Sequence, residues 1–462
     1  MEIKEIIKQD AGLKYVTDSM NLMSSAGRRL MLDTPFMTDN RAIEAEWDRM
    51  TRMQKALTDD TLRQPLVDLR HCLMQLHDCQ GTLALLSNHT VLSEVDLFEV
   101  KLLSHLAIQA TQATAPMGIS DIITLPDTKP VFELLDPDKT GIAAFYIYDT
   151  YDPRLPSLRR ELLALQTSGN DPVRIGELID QQNSIRQEVC KRLTDTLFAH
   201  CTMLSDALQQ LAYADFLIAK AELSQQWHLV RPTLGNHVEY KSLFYPRLKH
   251  HNEQASLRYQ PVSVSIDRSV TLITGANMAG KTVLLKTLAS AQLMAQCGWF
   301  VPAEQATIVA VECVVRSIGD DQNEMNGLSS FAAEIIKISD IVKQSREKRM
   351  LIVIDEPART TNPVEGRAIV QAIAETLSEA NSFAVVTTHY SGIGNGCRRL
   401  RVKGFIEDML TEPVSPQNIS RFIDYSLVDD TADDAPHEAL RIASLLGTDS
   451  RLLEAAQKHL DD

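Results

Sequence analysis

Apolar residues recur at threes and fours along residues 62–86, 92–113 and 177–226, with few Gly or Pro to interrupt them. That spacing predicts amphipathic helices and a mostly helical first part, running to about Pro232. The last stretch is long enough for a lever or a coiled-coil-like arm, and a bundle helix has the same pattern. Residues 117–156 break the habit. They hold Gly118, Pro126, Pro130, Pro137, Gly141, Pro153 and Pro156, with a β-prone piece at 143–148. An irregular insertion is expected there.

After Arg231, Pro232 and Gly235 the pattern changes. Val270–Thr274, 350–354 and 383–388 are short, β-branched and mostly apolar, as strands buried on both faces are. Helical segments alternate with them at Lys281–Gln296, 330–344 and 366–380. This alternation predicts an α/β domain over 233–410, preceded by the helical 1–232. From Thr411 a Pro-containing loop and an acidic run lead into helical pieces at 437–446 and 450–460. Residues 411–462 are expected to be a loop with helices, either a solvated tail or a dimer contact.

The chain has 462 residues, which argues for two or three domains. Its 44% hydrophobic and 23% charged residues are those of a soluble globular protein. The net charge of −15 lowers the expectation of a polyanion partner, although a local basic groove remains compatible with it. Seven scattered cysteines give no disulfide framework. His71, Cys72, His77 and Cys79 lie in a leucine-rich helical stretch without the paired spacing of a metal site. The first twenty residues carry charges throughout, and no apolar run reaches a membrane span of ~20 residues. A cytoplasmic location without membrane contact is therefore expected.

Three segments carry chemistry. Gly275, Ala276, Asn277, Met278, Ala279, Gly280, Lys281 and Thr282 fit G-x-x-x-x-G-K-[ST], between a buried strand and a helix. Such a loop closes backbone N–H groups around phosphates, and the helix N-terminus adds its dipole. Lys281 reaches the β- and γ-phosphates, and the Thr282 hydroxyl ligates Mg²⁺. The run 351–356 delivers Asp355 and Glu356 to a strand's C-terminal end, where open α/β sheets bind ligands. Asp355 is expected to hold the metal shell and Glu356 to polarise the attacking water. His389 ends the next strand, at the same edge. Gly327, Leu328, Ser329 and Ser330 precede Phe331 and Glu334, and read locally as a helix N-cap.

In this order and spacing the motifs resemble the MutS family of ABC-type ATPases. Residues 274–282 look like its T-G-P-N-M-G-G-K-[ST], 298–302 like G-x-[FY]-V-P, 327–334 like G-x-S-T-F-x-x-E and 355–361 like D-E-x-x-R-G-T, while His389 sits in a T-H-Y. The likeness is strong over 265–390 and loose elsewhere. It implies an α/β P-loop (ABC-type) ATPase domain after a mostly α-helical core and lever domain. It also implies ATP and Mg²⁺ as cofactors and a composite site, in which Ser329 acts in trans on the γ-phosphate held by a second MutS-like subunit, in a homo- or heterodimer.

Departures from the family pattern bear on the client. Ala276 and Ala279 replace loop residues, and 357–363 lacks the usual glycine-rich turn. The first hundred residues show no mismatch-reading Phe-x-Glu motif, so a mismatch-recognition domain is expected to be missing. These features and the acidic charge resemble the reactivase ATPases of adenosylcobalamin-dependent lysine 5,6-aminomutase, which makes a protein client the leading expectation. The alternative is a DNA-binding homologue in mismatch repair or recombination, acting on duplex or branched DNA.

Overall fold

A computed structural model describes residues 1–168, 171–276, 279–318, 330–394, 396–406, 419–430, 440, 443–444 and 446–461. The chain divides into two compact units. One comprises Met1–Ser19, Pro35–Asp48 and Ser224–Asp462, and the other Met20–Thr34 and Arg49–Leu223. This partition assigns Met1–Ser19 and Pro35–Asp48 to the sheet-bearing unit, where the hydrophobic pattern put them in a helical part ending at 232. Helical periodicity reports the element but not which core it packs on.

The sheet-bearing unit contains β1 (Thr233–Leu234), β2 (Val238–Leu243), β3 (Val262–Ile266), β4 (Val270–Thr274), β5 (Gln305–Ile308), β6 (Cys313–Ser317), β7 (Met350–Asp355), β8 (Phe383–Thr387), β9 (Arg398–Phe405) and β10 (Ile423–Asp429). A four-stranded sheet runs β1-β5-β2-β3, and a six-stranded sheet runs β10-β9-β4-β8-β7-β6. In the larger sheet β9, β4, β8, β7 and β6 are mutually parallel, and β10 closes the far edge antiparallel to β9.

The central strands are buried on both faces, which is why they read as continuous apolar runs. Met350, Ile352 and Ile354 face one way, into a core with Ile338, Ile341, Val370 and Ile373 from the helices Ser330–Ser345 and Pro363–Ser378. On the other side lies the helix Lys281–Gln296, packed against β6, β7 and β8. Its Gln292 and Gln296 are fully buried, and both donate to backbone carbonyls, of Val309 and of Met37 and Val311. The helix Ala11–Asp18 approaches this helix so closely that a Cβ on Gly12 would overlap the Ser290 hydroxyl.

The other unit is helical. Residues 62–86 form two helices, Arg63–Met74 and Gln80–Ser87, and residues 177–226 lie in Pro172–Phe198 and Cys201–Gln226. The expected single arm is therefore broken at 199–200. No Gly or Pro marks that break, so the periodicity does not reveal it. The β-prone piece 143–148 forms no strand. Its Ile147 and Tyr148 are buried by packing instead, and the rest of the insertion carries a helix at Lys129–Leu135. Fully buried Lys101 donates to Asp136 Oδ1 at 3.1 Å, to the Ala144 carbonyl at 2.9 Å and to the Tyr148 hydroxyl at 3.0 Å. A buried ammonium is tolerable only with such a full set of acceptors.

The C-terminal region differs from the expected loop and helices. β10 belongs to the large sheet, and its mixed burial hides it from the hydrophobic pattern. The helix Ser450–Asp461 falls where expected, while most of 437–446 lies outside the described residues. Among the described residues no helix is long and apolar enough to cross a membrane, and no group of His, Cys, Asp and Glu could hold a metal ion by itself. The seven cysteines are free.

Candidate active site

Parallel pairing sets the site. Register places Thr387 level with Ile273 on one side and Asp355 on the other, so β4, β8 and β7 end together. Each motif leaves the sheet at that edge, where strand C-termini and helix N-termini meet.

From β4 the chain enters the loop 275–280. Gly275 has φ 145° and Gly280 φ 76°, and Gly280 is the N-cap of Lys281–Gln296. The glycine at 280 is required twice over. Left-handed backbone disfavours any side chain, and a Cβ there would lie 2.9 Å from Tyr425 Cδ1 of β10. Asn277 and Met278 lie outside the described residues, whereas Ala279 is buried.

Lys281 is almost wholly buried. Its ammonium donates to the carbonyls of Gly275 at 2.6 Å and Ala276 at 3.0 Å, and stands 3.1 Å from Glu356 Oε1. Thr282 Oγ1 donates to Asp355 Oδ2 at 2.6 Å. The structure therefore brings Lys281, Thr282, Asp355 and Glu356 into one network, as their positions at loop, helix start and strand end predict.

Thr387 was not visible as a site residue from the sequence. Its hydroxyl donates to Asp355 Oδ1 at 2.6 Å and accepts from the Glu356 N–H at 3.0 Å, while its carbonyl accepts from the same N–H at 3.1 Å. The available signal was a threonine ending an otherwise apolar buried strand. Glu356 has φ 45° and Ala358 φ 59°, so the turn after β7 holds two side-chain-bearing residues in left-handed backbone. Such conformations persist only when the surroundings hold them. Thr387 holds the first. For the second, the Ala358 N–H donates to Glu334 Oε2 at 3.2 Å. Burial pushes the Glu334 carboxyl up, against the opposing pull of that N–H, Arg359 and Lys337. Arg359 Nη1 stands 3.8 Å from Glu356 Oε2.

His389 follows β8 by two residues. Partial burial holds its imidazole below the usual value; Glu356 opposes this, and Lys281 and Arg359 reinforce it. Its ring lies 4.1 Å from that of Tyr390. These couplings put His389 in the electrostatic field of the Lys281–Glu356 pair. Ser329, together with Gly327 and Leu328, lies outside the described residues.

The donor set fits ATP and Mg²⁺. A hydroxyl oxygen and a carboxylate oxygen 2.6 Å apart suit a hard cation that prefers oxygen ligands and retains others from water and phosphate. The buried ammonium beside a helix N-terminus suits a polyphosphate.

Part of the chain is similar to known proteins. Residues 271–462 match the family model for MutS domain V. The chain is similar to the protein named Endonuclease MutS2 of Thermus thermophilus, 35% identical over 214 residues, covering 46% of this chain and 27% of that protein. It is similar to the Endonuclease MutS2 of a Geobacillus species, 28% identical over 301 residues, covering 63% of this chain and 37% of that protein. It is also similar to the DNA mismatch repair protein MutS of Thermus aquaticus, 31% identical over 204 residues, covering 44% and 24%. The aligned part thus spans between about a quarter and two fifths of these relatives' length. The matched region, 271–462, contains the loop after β4, the end of β7 and the end of β8.

Proposed function

We propose that this chain is a MutS-type ATPase that works on DNA, coupling ATP binding and hydrolysis to a change in its hold on the strand. The observation that carries the ATPase reading is the single network joining Lys281, Thr282, Asp355 and Glu356 at one sheet edge. Gly275, Ala276, Asn277, Met278, Ala279, Gly280, Lys281 and Thr282 would hold the nucleotide, and Thr282 and Asp355 would hold Mg²⁺. Mg²⁺ supplies charge neutralisation of the phosphates. Lys281 would exchange the Gly275 and Ala276 carbonyls for phosphate oxygens, and so free Glu356 to orient water. His389, neutral near pH 7, would accept or donate one hydrogen bond at that water or at the γ-phosphate.

The site would be completed by Ser329 of a second MutS-like subunit, which makes the ATP-bound dimer the working state. Relatives named for endonuclease and mismatch-repair roles favour DNA over the aminomutase reactivase expected from the sequence departures. The net charge of −15 is the feature that still favours a protein client.

ATPase rates with no client, with duplex and branched DNA, and with inactivated aminomutase decide between these. Stimulation by DNA that falls steeply with salt supports the proposal. Unchanged rates with every DNA, together with stimulation by the aminomutase, would reverse it.

A further inference from the structure

The sheet-bearing unit contains a large cavity whose lining includes none of Lys281, Thr282, Asp355 and Glu356. Its volume is about 1210 Å³. It is lined by Lys8, Arg247, Lys286, Arg316, Lys337 and Lys348, with Asp10 as its one carboxylate. In a chain of net charge −15 this is a reversal of sign.

Elsewhere several arginines meet a carboxylate, as Arg52 meets Asp121 and Arg174 meets Glu161, and in the cavity Arg316 meets Asp10. Among the described residues Lys8, Arg247, Lys286 and Lys348 form no ion pair. Asp10 cannot compensate them. Its carboxylate is already taken by Arg316, by the Leu13 N–H at 2.6 Å and by the Ser290 hydroxyl at 2.8 Å. Like charges gathered in a concave site focus the field and concentrate anions there.

We propose that this cleft binds a phosphate-bearing ligand, at a site separate from the nucleotide site. The lysines and Arg247 would bind successive phosphates. Leu248, Val283 and Val315 give an apolar wall for an organic part. Val283, Lys286 and Leu293 project from one face of the helix Lys281–Gln296, at spacings of three and seven residues. That helix begins with the residues expected to hold ATP, so occupancy of the cleft bears on the same helix. The phosphates could come from a free polyphosphate or from the backbone of a nucleic-acid strand, since both present the same chemistry.

Calorimetry on the full chain tests this, with the nucleotide site saturated by a non-hydrolysable ATP analogue and free Mg²⁺ held in excess. The probes are inorganic tripolyphosphate and octathymidylate. The expected result is saturable, salt-sensitive binding of at least one probe, weakened about tenfold or more in Lys286→Gln/Lys348→Gln. ATP hydrolysis should persist in that variant and so report its folding. Should it lose hydrolysis, Lys8→Gln/Arg247→Gln, at other residues of the lining, gives the same readout. Tripolyphosphate binding alone identifies a free polyphosphate as the source, and tighter octathymidylate binding identifies a strand. Failure of both probes to bind, or equal affinity in the variants, overturns the proposal.

Discussion

The hydroxyl of Thr282 donates to Asp355 Oδ2 at 2.6 Å, tying the first turn of the helix Lys281–Gln296 to the end of β7. The two residues are 73 positions apart in sequence, and parallel pairing of β4, β8 and β7 brings them to one level. Removing the hydroxyl should loosen the metal more than the nucleotide. Thr282→Ala is expected to raise the Mg²⁺ concentration needed for half-maximal hydrolysis by about tenfold, the loss of one strong hydrogen-bonding or ligating group. An unchanged Mg²⁺ dependence would place the metal elsewhere.

Lys281 is held by two carbonyls and Glu356. Its ammonium is placed to exchange those partners for phosphate oxygens. Lys281→Ala should weaken ATP by about 1.5–3 kcal/mol, roughly 10–100-fold, as charge-assisted hydrogen bonds do. Titration calorimetry with ATP and Mg²⁺ measures this directly, and wild-type affinity would refute the assignment.

Glu356 stands beside Lys281, with its backbone held left-handed by Thr387. Glu356→Gln keeps size and acceptor capacity but removes the base. Turnover is expected to fall about 10²–10⁴-fold while ATP binding survives. If Ser329 completes the site in trans, this variant should accumulate as a dimer at saturating ATP. A monomer by sedimentation under those conditions would contradict the composite site.

Much of this site could be read before any coordinates, for a physical reason. A P-loop and an acidic strand end depend on local order: apolar strand, glycine turn, then Lys-Thr at a helix start. Thr387, Glu334 and Tyr425 act across the fold, and a single chain of letters does not say which strands adjoin. β10 escaped notice because an edge strand with mixed burial has no continuous apolar run. The same limit explains residues 143–148. Their β propensity is real, but among the described residues no strand pairs with them, and Tyr148 is committed to Lys101 instead.

Gly280 offers a test of the loop that leaves the catalytic side chains intact. Its φ of 76° makes Gly280→Ala cost about 1–2 kcal/mol locally, and the new Cβ would also press on Tyr425 Cδ1. ATP affinity should fall. Adding Tyr425→Ala should recover the steric part but not the backbone part, so partial rescue is expected. Full rescue would mean that the positive φ carries no cost.

The buried Lys101–Asp136 pair predicts acid sensitivity in the helical unit. Burial pushes the Asp136 carboxyl up, but hydrogen bonds from Thr140, the Gly141 N–H and Lys101 outweigh it and bring the carboxyl to about 2. Because this lies below the ordinary 3.8, the unfolded chain takes up the proton first as pH falls. The contribution is complete above about pH 4 and is lost progressively towards pH 2. Lys101→Met leaves the carboxylate buried without its cation and should cost about 3–5 kcal/mol at neutral pH. Lys101→Met/Asp136→Leu removes both charges and should recover most of that. Denaturant unfolding of the three proteins at pH 7 and at about pH 2.5 measures both effects. Equal stability of the single variant and the wild type would show that the pair is solvated in solution.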